Sequence, residues 1–307
     1  MKTVFMGTPD FAVPTLLRLL HDGHQICGVF TQPDKARGRS NALQPTPVKV
    51  AAMEHAIPVF QPQSMKTPEA LEQLKKLAPE LIVVVAYGRI LPQAVLELPQ
   101  YGCINVHASL LPKYRGAAPI QWSVINGETV TGVTTMFMDI GLDTGDILQK
   151  AETPIGENET AKQLHDRLSL MGADLCSETV SLLQEGKLTR SKQDDSQSCY
   201  APMLTRELSP IDWTKSAWQI HNQIRGLTPW PGAETVFAGK RLKIHDSRLA
   251  ADHAGKPGEI ISELPLVIAC GGQTALELTE LQYEGGKKMH VSDFLRGHRM
   301  EVGTLLG

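Results

Sequence analysis

The sequence predicts an α/β protein with a mainly parallel sheet covered by helices, followed by a smaller domain of short strands. In the first half of the 307 residues, short β-rich runs alternate with helical patterns. The strand-like runs are continuously apolar, as in "LIVVVA" at 81–86, which is typical of strands buried on both faces. Beyond about residue 207, short strands are separated by glycine turns. We therefore predict a Rossmann-like first region and a C-terminal β-barrel of the OB type.

The predicted elements of the first region follow one another in the order of a βαβ fold. The strands are expected at 2–7, 25–31, 57–61, 81–88, 102–107 and 131–139, and the helices at 10–21, 47–56, 67–77 and 160–185. Gly7 ends the first strand, and Pro9 suits the first turn of the helix that follows. Gly186 ends the last of these helices.

The composition changes near residue 190, where the polar passage "KLTRSKQDDSQSCYAPML" follows the last helix. A helical pattern, "TKSAWQIHNQIRGL", then precedes the glycine-separated strands. We predict a Rossmann-like domain at 1–189, a linker at 190–206 and an OB-like barrel at 207–307.

The overall composition is ordinary for a globular protein. Hydrophobic residues make up 42% and charged residues 21%, which argues against extensive disorder, and the net charge is −3. The five cysteines show neither zinc spacing nor a disulfide framework, so we expect reduced thiols. The N-terminus does not resemble a signal peptide, and no apolar run approaches the length of a membrane span. We expect a cytoplasmic protein without a bound metal and without membrane association.

Two chemically capable side chains lie at the end of a strand that is otherwise apolar. In "CINVHASLLPKYRGAAPIQ", Asn105 and His107 are two residues apart, so both point to one face of the strand. Ligands of open parallel sheets bind beyond the carboxyl ends of the strands. A buried pair satisfied by neighbouring backbone is the alternative for these two residues taken alone.

A candidate carboxylate follows the next apolar strand. The glycine-punctuated "MFMDIGLDTGDILQK" contains Asp139, Asp143 and Asp146. Any one of them could cap a turn, but a carboxylate beside an imidazole orients the ring and tunes its acidity.

An amide, an imidazole and a carboxylate without an activated serine or cysteine favour acyl transfer to a nucleophile supplied by the substrate. Asn105 and His107 can both donate to a developing oxyanion. Ser109 does not lie in a G-x-S-x-G elbow, so we interpret it as a loop or ligand contact. The chain contains neither G-x-G-x-x-G nor G-x-x-x-x-G-K-[ST], which disfavours a dinucleotide-dependent oxidoreductase or a nucleoside-triphosphate enzyme.

Six motifs together resemble the folate-dependent formyltransferase family. They are "MGTPDFAVPTL", "GVFTQPDKARGR", "VVVAYGRILP", "INVHASLLPKYRGAAPIQ", "TGVTTMFMDIGLDTGDIL" and "RGLTPWPGAET". The resemblance covers essentially the whole chain and is strongest to the family members that formylate initiator methionyl-tRNA. It implies transfer of the formyl group of 10-formyltetrahydrofolate to methionyl-tRNA for translation initiation, by a protein expected to be a monomer.

The resemblance also implies a role for individual residues. Asn105, His107 and Asp143 match the catalytic asparagine, histidine and aspartate of the family. The folate-binding signature matches Ser109, Leu110, Leu111 and Pro112, and the pterin pocket would be lined by Tyr87, Gly88, Ile90 and Leu91.

Basic residues in two places are candidates for binding tRNA. The loop at 31–49 carries Lys35, Arg37, Arg39 and Lys49, and the resemblance implies that this loop enters the acceptor end of the tRNA. Without the resemblance, a solvated loop would be the simpler interpretation. In the predicted tRNA-binding barrel, the basic residues cluster at Lys240, Arg241, Lys243, Lys287 and Lys288.

Two alternatives remain open at this point. A formyltransferase of the same family could act on an amino-sugar nucleotide or a ribotide amine with the same three catalytic residues, although the basic 31–49 loop favours tRNA. A non-catalytic tRNA-binding protein would use the barrel and the loop alone, and it predicts no turnover.

Overall fold

The computed structural model describes residues 1–37, 42–251, 253 and 255–307. Its strands are β1 (Lys2–Gly7), β2 (Gln25–Phe30), β3 (Lys35–Arg37), β4 (Ala42–Gln44), β5 (Val59–Phe60), β6 (Leu81–Val85), β7 (Cys103–His107), β8 (Arg115–Gly116), β9 (Val130–Phe137), β10 (Ile147–Pro154), β11 (Tyr200–Ala201), β12 (Ala233–Phe237), β13 (Lys240–Leu249), β14 (Ile260–Glu263), β15 (Leu266–Ala269), β16 (Ala275–Tyr283) and β17 (Met289–His290). The α-helices are α1 (Val13–His21), α2 (Pro47–Glu54), α3 (Pro68–Leu77), α4 (Gln93–Leu96), α5 (Pro119–Ile125), α6 (Ala161–Gln184), α7 (Ala217–Gly226) and α8 (Val291–Gly297).

The chain divides into two compact units that interleave along the sequence. The first contains Met1–Gly116, Thr131–Thr153 and His165–Tyr200. The second contains Ala117–Val130, Pro154–Leu164 and Ala201–Gly307. The predicted domain boundaries at 189 and 207 stay a prediction.

The first unit is built on a sheet in the order β10-β9-β7-β6-β1-β2-β5. The five strands β7, β6, β1, β2 and β5 run parallel, and β9 runs antiparallel to β7. Every residue of β6 and β7 is buried, as expected for central strands with helices on both faces. The predicted mainly parallel α/β fold is confirmed.

Threonine–proline pairs begin two of the helices. The Thr46 hydroxyl accepts the N–H of Lys49 at the start of α2, and the Thr67 hydroxyl accepts the N–H of Ala70 at the start of α3. Proline is tolerated after each threonine because the N–H of the first helical residue would have no hydrogen-bond partner within the helix.

The second unit contains an antiparallel sheet in the order β12-β13-β16-β15-β14, with β17 paired to β16. The helix α7 packs on it, and its capping box is formed by Ser216 and Gln219. The core of this unit includes Trp213, Ile220 and Phe294. The small C-terminal β domain predicted from the glycine-separated strands is confirmed.

The remaining differences concern single elements. The helix predicted at 10–21 begins as a 3-10 turn, and α1 proper starts at Val13. The short helices α4, α5 and α8 were not predicted, nor were the strands β3, β4, β8, β10, β11 and β17. Among the described residues, no helix is both long enough and apolar enough to cross a membrane.

Candidate active site

The imidazole of His107 is held by the main chain. His107 is buried at the end of β7, and its Nε2 lies 2.9 Å from the carbonyl oxygen of Tyr114. Since a carbonyl oxygen can only accept, Nε2 carries the hydrogen of this bond. Nδ1 is therefore the ring nitrogen that remains for chemistry.

Asp143 supplies a carboxylate beside that nitrogen. Its Oδ2 lies 3.8 Å from Nδ1 of His107 and accepts a hydrogen bond of 2.8 Å from the N–H of Gly116. A separation of 3.8 Å is too long for a direct hydrogen bond, but it is short enough for the carboxylate to attract a protonated ring. Of the three candidate aspartates in this loop, Asp143 is the one that the structure places beside the imidazole.

The loop that carries Asp143 reaches His107 by turning back. Because β9 is antiparallel to β7, its last residue, Phe137, pairs with Ile104 near the beginning of β7. Gly145 then packs so closely that a Cβ at this position would stand 1.7 Å from the Phe137 carbonyl oxygen. Asp143 has φ +55°, a left-handed conformation that is uncommon outside glycine.

Asn105 lies two residues before His107 on β7. Both side chains are buried, and the strand geometry directs them to the same face. In register, Asn105 pairs with Val84 on β6 and with Met136 on β9. The amide therefore lies on a central strand with hydrogen-bonded neighbours on both sides, where its position is fixed.

Ser109 anchors the loop after β7. Its hydroxyl donates to the carbonyl oxygen of Lys113 at 2.6 Å, and its own carbonyl accepts from Thr134 Oγ1 at 2.6 Å. The same threonine oxygen accepts the N–H of Leu111 at 3.2 Å. These bonds support a loop role for Ser109 rather than that of a nucleophile.

The predicted folate-binding residues differ in exposure. Tyr87, Leu91, Ser109 and Leu111 are buried, Leu110 and Pro112 are half-buried, and Gly88 and Ile90 are exposed. The Tyr87 ring packs in the core, and within the described part of the chain its hydroxyl has no hydrogen-bond partner. Burial raises the pKa of Tyr87 to about 12. Its carbonyl accepts from Thr8 Oγ1 and Gln32 Nε2, both at 3.0 Å, so this loop is anchored through its backbone.

The basic residues predicted in the 31–49 loop have different surroundings. Lys35 Nζ donates to the neutral Oε1 of Gln32 at 3.0 Å. Lys49 Nζ instead lies 2.6 Å from Asp34 Oδ2 and 2.9 Å from Gln61 Oε1. The hydrogen bond from Lys49 lowers the pKa of Asp34. Lys49 is thus part of the base of the loop.

The structure says little about the other two basic residues predicted to bind tRNA in the 31–49 loop. Arg37 ends β3, which pairs with β4. Arg39 lies outside the described residues.

The basic residues predicted in the second unit are interleaved with carboxylates. Lys240, Arg241 and Lys243 lie on β13, and Lys287 and Lys288 precede β17. Arg241 Nη1 lies 3.8 Å from Glu234 and its Nη2 lies 4.0 Å from Glu284, while Lys288 forms an ion pair with Glu280. Their charges are therefore partly offset within the unit.

Two backbone groups of the site were missed in the sequence. They are the carbonyl of Tyr114, which holds the imidazole, and the N–H of Gly116, which holds the Asp143 carboxylate. Both closely follow the predicted loop "SLLP", but no side-chain pattern marks a backbone contact. Among the described residues, no group of three or more His, Cys, Asp or Glu is arranged to hold a metal ion.

An α/β sheet with a buried amide and imidazole on one strand and a carboxylate folded back beside the imidazole is an arrangement that suits an enzyme of the acyl-transfer type. A model of the formyl transferase family matches residues 1–180, and a model of the formyl transferase C-terminal domain matches residues 203–299. The chain belongs to the formyl transferase family. The resemblance predicted from the motifs is confirmed.

Full-length relatives give the same assignment. The chain is 53% identical over 309 aligned positions to the methionyl-tRNA formyltransferase of Geobacter sulfurreducens, covering 100% of this chain and 97% of the relative. It is 52% identical over 310 positions to the methionyl-tRNA formyltransferase of Caldanaerobacter subterraneus subsp. tengcongensis, covering 100% of both chains.

Solved structures share the fold. An N-formyltransferase from Helicobacter canadensis, in complex with folinic acid and dTDP-3-aminofucose, superposes with a TM-score of 0.70 at 23% identity and covers 92% of this chain and 99% of its own. HypX from Aquifex aeolicus, in complex with tetrahydrofolic acid, gives a TM-score of 0.64 at 16% identity and covers 98% of this chain and 50% of its own.

Proposed function

We propose that the protein transfers the formyl group of 10-formyltetrahydrofolate to the free amino group of initiator methionyl-tRNA. The observation that carries this proposal is the placement of Asp143 Oδ2 at 3.8 Å from the one ring nitrogen of His107 that the main chain leaves available. The family membership and the full-length relatives named methionyl-tRNA formyltransferase support the choice of substrate.

The donor set fits the charge that must be stabilised. When the amine nitrogen bonds to the formyl carbon, negative charge develops on the formyl oxygen. The amide N–H of Asn105 and a protonated Nδ1 of His107 are the two donors that we assign to it. Nδ1 is protonated only in the charged ring because Nε2 already carries a hydrogen, and the Asp143 carboxylate attracts that charged ring.

Asp143 also has a role in moving a proton. An α-amino group has an ordinary pKa of about 7.7–8.0, so most substrate molecules must lose a proton before attack. That first proton is released to the solvent. Once the amine nitrogen has bonded to the formyl carbon it must lose a second proton; we assign the acceptance of this proton to Asp143, directly or through a water molecule, and it ends on the folate nitrogen as the bond between that nitrogen and the formyl carbon breaks. The Gly116 N–H keeps Oδ2 in place, which leaves Oδ1 for this exchange.

One residue predicted to bind folate and two residues of the Asp143 loop present exposed aliphatic side chains. Ile90 is 73% exposed on the loop after β6, and Ile140 and Leu142 are 75% and 57% exposed on the loop that carries Asp143. Large exposed aliphatic side chains on two loops of the site are surfaces that a planar ring can cover. The folate supplies the formyl group, and Ser109 to Pro112 and Tyr87 to Leu91 would hold it.

The tRNA partner is assigned to the basic residues whose charge is least offset. These are Lys35 in the 31–49 loop and Lys240, Lys243 and Lys287 in the second unit. Arg37 and Arg39 are kept from the sequence prediction alone, and Arg241 is kept although Glu234 and Glu284 partly offset its charge. Lys49 and Lys288, which were predicted with them, form ion pairs with Asp34 and Glu280. They would bind phosphate only at the cost of those pairs.

The test is a direct assay with charged tRNA. The protein is incubated with methionyl-tRNA and 10-formyltetrahydrofolate, and the esterified amino acid is released and examined for N-formylmethionine. Parallel reactions replace methionyl-tRNA with an amino-sugar nucleotide or omit the folate. We expect N-formylmethionine in the complete reaction and none in the parallel reactions. Formyl transfer to the sugar and none to methionyl-tRNA would contradict the proposal.

We further propose that the protein acts in the cytoplasm as a monomer. The five cysteines are unpaired, which suits a reducing compartment. Sedimentation of the purified protein checks the monomer, and a concentration-independent mass near twice 33.6 kDa would contradict it.

A further inference from the structure

The segment at residues 190–200, predicted as part of a linker, runs along the candidate active site. Near its start, Ser191 and Ile147 exchange two backbone hydrogen bonds of 2.8 and 2.9 Å. Near its end, the carbonyl oxygen of Cys199 accepts the N–H of Arg115 at 2.9 Å. The segment is therefore fixed on both sides of its central residues.

One side chain of this segment binds the backbone of the Asp143 loop. Gln193 Nε2 donates to the carbonyl oxygens of Asp143 and Gly145, each at 2.8 Å. An amide NH₂ carries two hydrogens, and these two carbonyls use both. The contact joins the residues on either side of Thr144.

Arg115 determines which way the Gln193 amide faces. The Oε1 of Gln193 accepts from Arg115 Nε at 3.1 Å and from Nη2 at 2.8 Å. A guanidinium group can only donate, so the amide oxygen must face Arg115 and the NH₂ must face the loop. Arg115 Nη2 in turn lies 2.7 Å from Asp195 Oδ1 within the same segment.

The loop has a conformation that needs such support. Asp143 has φ +55°, and a non-glycine residue keeps a left-handed conformation only where its surroundings favour it. Gln193 holds the Asp143 carbonyl from one side, and the Gly116 N–H holds its carboxylate from the other. Two anchors on opposite ends of one residue determine where Oδ2 lies relative to His107.

We propose that Gln193, oriented by Arg115, is a positioning residue that sets the Asp143 carboxylate beside His107. It acts on the backbone of Asp143 and touches neither of the reacting groups. This inference rests on the proposed role of Asp143 in formyl transfer.

The first test is Gln193→Glu, which keeps the shape and the contact with Arg115 but replaces the two donors with a carboxylate oxygen. Facing two carbonyl oxygens, that oxygen repels the loop. We expect kcat for formyl transfer to fall about 100-fold, the cost of displacing a catalytic group by roughly 1 Å, with KM for both substrates nearly unchanged. Gln193→Ala is the second variant. The matched control is Gln197→Ala, since Gln197 belongs to the same segment but donates to Asp194.

A double-mutant cycle separates positioning from general stabilisation. If Gln193 acts through the Asp143 carboxylate, adding Gln193→Ala to Asp143→Asn should reduce kcat by less than about twofold more. A merely structural residue would instead multiply the two losses. Multiplied losses, or a Gln193→Glu enzyme with nearly normal kcat, would overturn the inference.

A second readout does not depend on the substrate. The Gly116 amide hydrogen, which donates to Asp143 Oδ2, should exchange with deuterium faster in Gln193→Glu and Gln193→Ala and at the normal rate in Gln197→Ala. If the wild-type protein did not formylate methionyl-tRNA, the proposed function would fail while this measurement still decided the role of Gln193. Unchanged exchange in both Gln193 variants would overturn the inference.

Discussion

At the scale of single residues, the site depends on which hydrogen each polar atom carries. The Tyr114 carbonyl oxygen accepts a hydrogen bond from the Nε2–H of His107. The ring can therefore donate to a substrate oxygen only from Nδ1, and only in its charged form. The Asp143 carboxylate lies 3.8 Å from that nitrogen, and in the proposed mechanism it attracts the charged ring. Its contribution to the reaction should therefore depend on its charge and not only on its shape.

The corresponding prediction concerns Asp143→Asn. The amide oxygen of the introduced side chain can still accept from the Gly116 N–H, so the protein should fold normally, but the negative charge beside His107 is lost. We expect kcat to fall at least about 100-fold, the usual contribution of a positioned proton-transfer group. Turnover with initiator methionyl-tRNA and the thermal unfolding midpoint are the measurements.

Asp139→Asn is the control for that variant. Asp139 Oδ1 accepts from the Gly141 N–H and from Thr144 Oγ1, both bonds that an amide oxygen can also accept. This variant should keep kcat within about threefold of the wild-type value, because no charge next to His107 changes. Equal losses in the two variants would show that the loop matters and the Asp143 charge does not.

At this scale the sequence predicted the residue types but not the choice among them. Asn105 and His107 could be placed on one face because strand geometry has a period of two. Asp139, Asp143 and Asp146 remained open from the residues alone. The structure favours Asp143 through a left-handed φ at a non-glycine residue and two backbone contacts, none of which leaves a trace in the residue pattern.

At the scale of elements, the ion pairs should decide which lysines of the predicted tRNA surface contribute to binding. Each phosphate contact that is lost reduces the slope of log affinity against log salt by about 0.7 to 1. Lys35 donates to a neutral amide, whereas Lys288 is paired with Glu280. Lys35→Gln should therefore weaken tRNA binding and flatten the slope by about one, and Lys288→Gln should change both much less.

Binding measured between low and moderate salt checks this prediction. The wild-type protein should lose affinity steeply as salt rises because counterions are released from the tRNA on binding. A flat wild-type profile would contradict the assignment of tRNA to these basic residues. A larger effect of Lys288→Gln than of Lys35→Gln would contradict the argument from ion pairs.

The helix α7 depends on a buried arginine. Arg225 Nε donates to Asn222, and Nη1 donates to the carbonyls of Gly156 and Glu159 at 3.2 and 2.9 Å. Burial lowers the pKa of this guanidinium. Arg225→Met would remove the donor from the buried Asn222 side chain and from two carbonyls nearer the surface, which we expect to cost about 1–3 kcal/mol of unfolding free energy.

The control is Arg248→Met, at an exposed position on β13. It should change the midpoint of urea unfolding only slightly, whereas Arg225→Met should lower it clearly. A midpoint that is the same in both variants would show that the Arg225 hydrogen bonds contribute no net stability.

Elements with a strong periodic signal were predicted from the sequence, and the others were not. β6 is a continuous apolar run, and the segment of α3 repeats apolar residues with helical spacing at Leu71, Leu74 and Leu77. β10 was missed because its second half alternates exposed and half-buried residues at the border of the sheet. α8 was missed because it has only seven residues and is capped by His290, the residue before its start, whose ring accepts the N–H of Ser292.

At the scale of the whole molecule, continuous apolar strands were enough to predict a mainly parallel sheet, but not the reversal of β9. That reversal matters because the carboxyl ends of β7 and β9 then lie apart, and the Asp143 loop has to fold back to His107. Nor could the sequence show that residues 190–200 pack on this loop. A polar run without periodicity looks the same whether it is a free linker or is held by the specific hydrogen bonds of Gln193.

The stability of the whole molecule should depend on three histidines that are shielded from solvent. Burial is the main cause that lowers the pKa of His24, His221 and His245 below the ordinary value of 6.5. For His221, the charge of Arg225 lowers the pKa further, and the Glu157 carbonyl and nearby carboxylates oppose this shift. A lowered pKa means that the unfolded chain takes up protons more readily than the folded one.

The stability that these histidines contribute is therefore fully present above about pH 6.5 and is lost as the pH falls through the folded values. The carboxylates with lowered pKa values, among them Asp22 and Asp212, titrate below their ordinary 3.8 and act in a separate, more acidic range. We expect the urea midpoint of the wild-type protein to decrease as the pH is lowered from about 7.5 to 5.5.

In His221→Gln the decrease should be smaller, because a glutamine can replace the bonds to Ser247 and Glu157 without taking up a proton. His55→Gln, at an exposed position, should leave the fall unchanged, and a wild-type midpoint that rises toward the acidic end of this range would contradict the prediction.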